Sequence, residues 1–246
     1  MKPVLVLQHL SADGPGYLGR WLAARGLVMD VRNTEAGQSF PAHLADHSAL
    51  AILGGEMSAN DPLPSLRQAE ALFLEAVRDG VPTIGHCLGG QLMARALGAR
   101  IGDSPVPEVG FQAVRLRPGP QSEAWFGLEP AHRVFHWHYE AFDLPPGAEA
   151  LATNAACPHQ AFAIGPHLGM QFHIELDEDK LTRWSHDEGE RFQRARAAHP
   201  RQVHDGVRMR RDGATLLGAH QALADRIYGR WIAAAERRGV IARQAS

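Results

Sequence analysis

The chain has 246 residues, of which 45% are hydrophobic and 21% are charged, and its 25 Lys+Arg against 27 Asp+Glu give a formal net charge of −2. These values are typical of a globular protein with a sizeable core, and they exclude fibrous and disordered classes. The near-neutral charge argues against a nucleic-acid partner bound through its phosphates. No apolar run is long enough to predict a membrane span.

Strand and helix patterns alternate through the first part of the chain. Buried strands are predicted at residues 4–7 and 28–31, on either side of a helix that Gly26 ends. A third apolar run, at residues 49–53, has the same character. The βαβ spacing of the first two strands is that of a parallel crossover unit.

The next helix is predicted to start at a capping-box pattern in residues 65–68 and to stop at Gly80. A buried strand follows at 81–84, and a further helix at 88–98. Alternation of this kind is typical of an α/β fold with a parallel sheet.

The pattern changes between residues 111 and 172. Short strands are predicted at 111–116, 133–139, 161–164 and 169–172, separated by Pro/Gly turns with no long helix between them. We expect these strands to extend the sheet and to add a hairpin region.

From Asp177 onward the chain is polar and helical. Leu223, Ile227 and Trp231 recur at every fourth position, which predicts one apolar stripe on a final helix. The arginines between residues 191 and 211 are interpreted as a solvated helical face, with a basic docking patch as the alternative.

No internal repeat or low-complexity linker divides the chain. We therefore expect a single domain over residues 1–246. Its core is predicted to cover about 1–177, followed by a helical C-terminal extension over about 178–246.

The number of cysteines indicates the cellular compartment in which the protein resides. Cys87 and Cys157 are the two cysteines, too few for a disulfide framework, so we expect a reducing environment. The apolar run at the N-terminus is too short for a secretory signal peptide. Together these features predict a cytoplasmic protein.

The most informative segment is residues 85–91, Gly-His-Cys-Leu-Gly-Gly-Gln, where a buried strand runs directly into a helix. This is the layout of a nucleophile elbow, in which a sharp turn lifts one side chain above the sheet. Cys87 would lie at a helix N-terminus, where the dipole favours the thiolate. A buried structural cysteine is the alternative, but it does not require glycines on both sides, so we favour the nucleophile.

A thiol nucleophile needs a base, and the base needs a partner that orients it. His173 and Glu175 are two residues apart at the end of a late apolar run, so on an extended chain they share a face. A carboxylate in that place can hold the imidazole in one tautomer and stabilise its cation. We therefore predict that Glu175 orients His173.

Acyl transfer also needs two donors for the oxyanion. The backbone N–H of Leu88 follows the nucleophile directly. The strand at 49–53 would end near the same sheet edge as Cys87. Gly55, which follows that strand, is therefore predicted to supply the second N–H. A plain strand-to-loop glycine turn is the alternative.

Three segments together resemble class I glutamine amidotransferases, the triad type of glutaminase domain. Residues 85–91 are similar to the family's G-x-C-x-G-x-Q elbow, and residues 169–175 to its G-x-Q-x-H-x-E signature. Residues 51–56 are similar to the strand and glycine pair that supply its oxyanion loop. The resemblance covers about residues 1–177 and is closest to free-standing members similar to the glutaminase domain of GMP synthase.

The resemblance implies a flavodoxin-like three-layer α/β/α fold with a mostly parallel central sheet, a small antiparallel extension and a C-terminal helical tail. It makes Cys87 the nucleophile, His173 the base and Glu175 the orienting acid. It places Gln91 beside the bound glutamine, and His138, on a His-containing strand near the pocket, is a candidate for lining it. No cofactor is implied.

His136 and His138 are two residues apart and would share a face of their strand. They could hold a metal ion only with a third ligand. No suitably spaced cysteine or carboxylate accompanies them in the sequence, so no metal site is predicted, and the role of His136 stays open.

The predicted reaction releases ammonia from the glutamine side-chain amide through a γ-glutamyl thioester on Cys87. The chain has no pattern for an acceptor domain, so a synthetase partner chain would take the ammonia; no nucleic-acid or membrane partner is expected. A stand-alone γ-glutamyl peptidase or hydrolase is the first alternative, and a catalytically idle binding or regulatory module is the second. The cysteine peptidase or chaperone branch of the fold takes its histidine from beside the elbow, which the pairing of His173 with Glu175 disfavours.

Overall fold

The computed structural model describes residues 1–186 and 189–244. The helical extension expected at 178–246 therefore includes positions, 187–188 and 245–246, that lie outside the described residues.

The first half of the chain alternates strands with helices, as predicted. The strands β1 (Val4–Gln8), β3 (Ala49–Ile52) and β4 (Thr83–His86) are buried along their whole length, as expected for parallel strands covered on both faces. The strand β2 (Met29–Asn33) is half-buried at the sheet edge. The elements are β1 (Val4–Gln8), α1 (Gly16–Ala23), β2 (Met29–Asn33), β3 (Ala49–Ile52), α2 (Pro64–Asp79), β4 (Thr83–His86) and α3 (Leu88–Ala96).

The two ends of α2 can be compared with the helix start and the helix stop that the sequence predicted. The predicted capping box is wrong, because the helix begins at Pro64 after Leu63, and no side chain caps its first turn. Proline is favoured there since the first N–H groups have no helical partner. Gly80 ends the helix as predicted, in the left-handed conformation with φ of 66°.

The second half of the chain contributes the remaining strands. Two elements were not predicted. The helix α4 (Pro120–Phe126) has only seven residues, too few to display a helical period, and the strand β7 (Glu149–Thr153) is similarly short. The strand β5 (Ile101–Leu116) begins ten residues before the predicted start at 111. Pro105 and Pro107 weaken the strand signal in that first part, and the pairing register is interrupted there, between Asp103 and Glu108. The elements are β5 (Ile101–Leu116), α4 (Pro120–Phe126), β6 (Ala131–Phe142), β7 (Glu149–Thr153), β8 (Ala161–Ile164) and β9 (His167–Met170).

Within the described residues the nine strands form one mixed sheet, in the order β2-β1-β3-β4-β9-β8-β7-β5-β6. The pairings from β2 to β9 are parallel, and those from β9 to β6 are antiparallel. The α/β fold is confirmed, and its antiparallel part is as extensive as its parallel part. Because β9 pairs with β4, the chain that follows each strand emerges at the same sheet edge, and the N–H of Cys87 donates to the Met170 carbonyl at 2.9 Å.

The C-terminal helices are α5 (Glu178–Trp184), α6 (Glu190–Ala198) and α7 (Gly206–Gln244). The predicted apolar stripe on α7 is buried: Leu223 is 5% exposed, and Ile227 and Trp231 are fully covered. These side chains belong to the same hydrophobic core cluster as one face of β1 and β3. Trp231 Nε1 donates to the Pro82 carbonyl at 3.0 Å. No helix among the described residues is both long and apolar enough to cross a bilayer.

Candidate active site

The turn between β4 and α3 holds Cys87 in a strained conformation. Its φ of 48° makes it the one non-glycine residue with positive φ in the described part of the chain, a conformation that costs about 1–3 kcal/mol. A Cβ on Gly89 would collide with the Ile52 carbonyl, and one on Gly90 with the Met170 carbonyl. The glycines therefore allow α3 to start directly against two strand ends, with the cysteine at its N-terminus.

The thiol of Cys87 is 6% exposed and lies in the wall of a cavity of about 610 Å³. Its Sγ is 3.5 Å from the Trp137 carbonyl oxygen on β6 and 3.7 Å from Nε2 of Gln171, which donates towards it. Gln171 belongs to the motif at 169–175, but sequence reasoning did not single it out. These two contacts tie the thiol to β6 and to the segment after β9.

His173 and Glu175 are in direct contact, as their spacing predicted. Nδ1 of His173 is 2.7 Å from Oε1 of Glu175, while Nε2 makes no hydrogen bond of standard geometry within the described residues. Burial lowers the pKa of His173, but the carboxylate of Glu175 and the thiol of Cys87 outweigh it and raise the pKa to about 10. These two neighbours therefore favour the cationic form of the imidazole.

Glu175 is fully buried and surrounded by groups that stabilise its charge. Oε1 is 3.5 Å from Nζ of Lys180, and Oε2 is 3.8 Å from Nε2 of His86. Burial alone would raise the pKa of the carboxyl, but the neighbouring His173, His86 and Lys180 hold it well below its usual range. The ionised form of the carboxylate is thus favoured although the side chain is fully buried.

Sequence reasoning missed Lys180 and its partner Asp13. Lys180, on α5, is fully buried, pairs with the Asp13 carboxylate and lies 5.0 Å from the ring of Trp184. Burial lowers the pKa of the ammonium, but Asp13 and Glu175 outweigh it and raise the pKa. Lys180 is one of only two lysines in the chain, and that rarity was the single available signal.

The glycine pair predicted to supply an oxyanion donor lies beside the other predicted residues. A Cβ on Gly55 would be 2.9 Å from Cδ2 of Leu88, and a Cβ on Gly54 would be 2.9 Å from Cε1 of His173. Gly55 also lines the cavity with Cys87. A side chain at either glycine would force a neighbouring side chain to shift.

Gln91 and His138, the predicted substrate-binding residues, both line the cavity. The amide of Gln91 is engaged by protein, because Nε2 donates to the Glu140 carbonyl at 3.0 Å and lies 3.4 Å from Oε1 of Gln171. His138 lies 3.2 Å from a carboxylate oxygen of Glu108, a β5 residue that sequence reasoning missed.

The helical extension forms part of the cavity wall. Trp184, Arg191 and Phe192 line it, and the guanidinium of Arg191 lies 4.2 Å from the ring of Tyr139. Most other side chains of α6 are exposed or partly exposed, in agreement with the predicted solvated face. The tail therefore contributes directly to the site.

Cys157 lies apart from this site. It is fully buried, its Sγ is 3.5 Å from the His159 carbonyl, and burial raises the pKa of its thiol to about 12. A thiol in that state is a poor nucleophile, which agrees with a structural role.

The fold and the site together define an α/β protein with a cysteine elbow facing a cavity and a buried His–Glu pair beside it. A model of class I glutamine amidotransferases matches residues 18–182, and the chain belongs to this family. It is similar to the glutamine amidotransferase-like protein YfeJ of Salmonella typhimurium, with 30% identity over 68% of this chain and 73% of YfeJ.

Two further similarities point the same way. A crystal structure of a glutamine amidotransferase from Methylobacillus flagellatus superposes with a TM-score of 0.86 and 33% identity, over 95% of each chain. The glutamine-hydrolysing GMP synthase of Thermomicrobium roseum is 33% identical over 53% of this chain, but the match spans only 24% of that synthase.

Proposed function

We propose that this chain hydrolyses the side-chain amide of glutamine through a γ-glutamyl thioester on Cys87. The proposal is carried by one observation: Cys87, on its strained elbow, and His173 line the same cavity. Nδ1 of His173 lies 2.7 Å from Oε1 of Glu175, which orients the ring. Nucleophile, base and orienting acid are the three parts that such chemistry needs. Membership of the class I family supports the same reaction.

In the first half of the reaction, the Cys87 thiolate adds to the amide carbon. The His173 imidazolium, whose pKa is raised to about 10, donates its proton to the leaving nitrogen, which departs as ammonia. In the second half, water attacks the thioester carbon and gives its proton to the imidazole. Glutamate leaves, and the thiolate–imidazolium pair is restored.

The negative oxygen that forms in both halves needs donors. We assign this role to the N–H groups of Leu88 and Gly55, whose residues pack against each other beside the nucleophile. One such donor is typically worth about 3–4 kcal/mol of transition-state stabilisation. Gln91 and His138, on the cavity wall, are the predicted contacts to the substrate.

The test measures ammonia and glutamate released from glutamine by the purified chain. Cys87→Ala should abolish turnover, and a glutamine-like electrophile should label the unmutated chain once, on Cys87. Cys157→Ala is the matched control and should keep full activity. Turnover that survives Cys87→Ala would overturn the mechanism.

A stand-alone γ-glutamyl hydrolase is the second candidate, favoured by the size of the cavity. A volume of about 610 Å³ suits a ligand larger than one amino acid. Trp184 and Phe192 add apolar wall that could accept the amine half of a γ-glutamyl amide. Release of free amine from γ-glutamyl peptides, without ammonia from glutamine, would select this candidate and exclude the first.

For the glutaminase, we propose a synthetase partner chain that accepts the ammonia. The match to a GMP synthase that is several times longer than the matched region supports this proposal. Cross-linking of the tagged chain in its own cells should recover such a synthetase. A chain that recovers none and hydrolyses γ-glutamyl peptides freely would contradict it.

A cytoplasmic location stays a prediction, supported by two buried free thiols. The single domain also stays a prediction, supported by the packing of α7 into the main core.

A further inference from the structure

A second cluster of buried polar side chains adjoins the cavity through His138. Glu108 on β5 is the direct cross-strand partner of His138 on β6, and His136 lies two residues earlier on the same face. One nitrogen or oxygen from each lies within 4.8 Å of the other two. In the part of the chain that the structure describes, this is the one group of three His, Cys, Asp or Glu side chains with that spacing.

His138 is placed between two groups that can only accept hydrogen bonds. Its Nδ1 is 3.2 Å from the Glu140 carbonyl oxygen, and its Nε2 is 3.2 Å from Oε2 of Glu108. A neutral imidazole carries one N–H. When Nδ1 donates its proton to the Glu140 carbonyl, the lone pair of Nε2 faces the Glu108 carboxylate, and the two repel each other. A cation bound between Nε2 and the carboxylate would remove this repulsion.

His136 provides an independent sign of a missing partner. Its side chain is fully buried, and neither ring nitrogen has a hydrogen-bond partner among the described residues. Its Nδ1 lies 4.0 Å from Oε2 of Glu108, beside the same carboxylate oxygen that faces His138. A buried imidazole without partners is costly, and a shared cation would satisfy this nitrogen.

The carboxylate of Glu108 is fixed by neighbouring amides. Asn154 donates to Oε1 at 2.6 Å, and Gln160 donates to Oε2 at 2.5 Å. Such outer hydrogen bonds are typical of groups that hold a metal ligand in place, as is the backbone carbonyl on Nδ1 of a ligating histidine.

We propose that Glu108, His136 and His138 bind one divalent transition-metal ion of the zinc type. Two imidazoles and a carboxylate are a ligand set that such ions accept, and three protein ligands leave a further position for water. The ion would clamp β5 to β6 next to Trp137, whose carbonyl contacts the Cys87 thiol. The proposal corrects the expectation that no carboxylate accompanies the two histidines, because cross-strand pairing supplies Glu108.

The test titrates the chelator-treated full chain with Zn²⁺ against a chromogenic chelator and counts bound metal by mass spectrometry. All titrations use Cys87→Ala protein, since the Cys87 thiol faces the cavity and is itself a zinc ligand, whereas the Cys157 thiol is fully buried. One Zn²⁺ per chain is expected. Because loss of an outer hydrogen bond to a metal ligand already costs up to about 100-fold in affinity, His136→Ala and Glu108→Gln, which remove ligands, should each weaken binding by at least that factor. His167→Asn is the control, since His167 is equally buried, 2% exposed, but lies outside the cluster.

Co²⁺ gives a second readout that needs no cluster variant. Its binding to the Cys87→Ala chain should produce visible d–d bands, and these should disappear on addition of Zn²⁺. Stoichiometry well below one, the absence of these bands, or unchanged affinity in a folded His136→Ala protein would overturn the proposal. The cluster would then be a hydrogen-bonded histidine–carboxylate pair that holds β5 against β6.

Discussion

The ammonium of Lys180 lies 3.5 Å from Oε1 of Glu175, the same oxygen that holds His173 at 2.7 Å. Lys180 also pairs with Asp13. Acidic and basic side chains therefore alternate from Asp13 through Lys180 and Glu175 to His173. All these groups are buried or nearly so. The proposed orienting acid is therefore itself held in place and kept ionised by a buried cation.

Removal of this cation should cost stability. In Lys180→Met two buried carboxylates lose their shared partner, and breaking a buried pair in this way typically costs about 3–5 kcal/mol. The measurement is the free energy of unfolding in urea. The matched control is Lys2→Met, at the exposed second lysine, which should stay within about 0.5 kcal/mol of the parent.

The same variant should lower kcat more than it changes KM, because Lys180 acts on the position and charge of Glu175. A Lys180→Arg protein keeps the charge and should recover part of the activity. Equal kcat in Lys180→Met and the parent would show that Glu175 needs no buried cation.

The pH profile of kcat/KM should be flat through mildly acidic pH. The pKa of His173 is raised to about 10 by Glu175 and Cys87 against the effect of burial, so the imidazolium that donates to the leaving ammonia persists until the pH rises through that value. Activity should then fall on the alkaline side near pH 10. A decline centred near the ordinary histidine value of about 6.5 would instead indicate an uncoupled imidazole.

Gly54→Ala should reduce activity without a matching loss of stability. The added Cβ would lie 2.9 Å from Cε1 of His173, so the imidazole must shift, and small misplacements in an active site can cost on the order of 100-fold in rate. The comparison is Gly218→Ala on α7, where a Cβ meets nothing within 4 Å. Unaltered kcat in Gly54→Ala would mean that the ring has room to move.

Trp231→Ala should destabilise the whole protein. Trp231 is fully buried, packs in the main core and donates to the Pro82 carbonyl, just before β4. Loss of such a side chain costs about 3–5 kcal/mol. Leu128→Ala, at a residue 85% exposed, is the control.

If the tail and the core form a single domain, Trp231→Ala should unfold on heating in one transition, with a lower midpoint temperature than the parent. Two transitions, with only one of them lowered, would contradict the single-domain prediction.

Local signals were sufficient for the elbow and for the His–Glu pair. The strand, turn and helix around Cys87 are contiguous, and the glycines that the turn requires stand beside it. His173 and Glu175 are two residues apart, so backbone geometry alone brings them to one side. The parallel strands were equally accessible, because burial on both faces leaves continuous apolar runs.

The sequence by itself thus determined the fold class, the elbow and the candidate nucleophile, base and acid. Only the tertiary structure decided that Lys180 neutralises Glu175 and that Glu108 faces His138. Both relationships depend on how distant elements pack, α5 against the sheet edge and β5 in register with β6. Their residues carry no local pattern, since a buried charge is specified by its spatial partners and not by its neighbours along the chain.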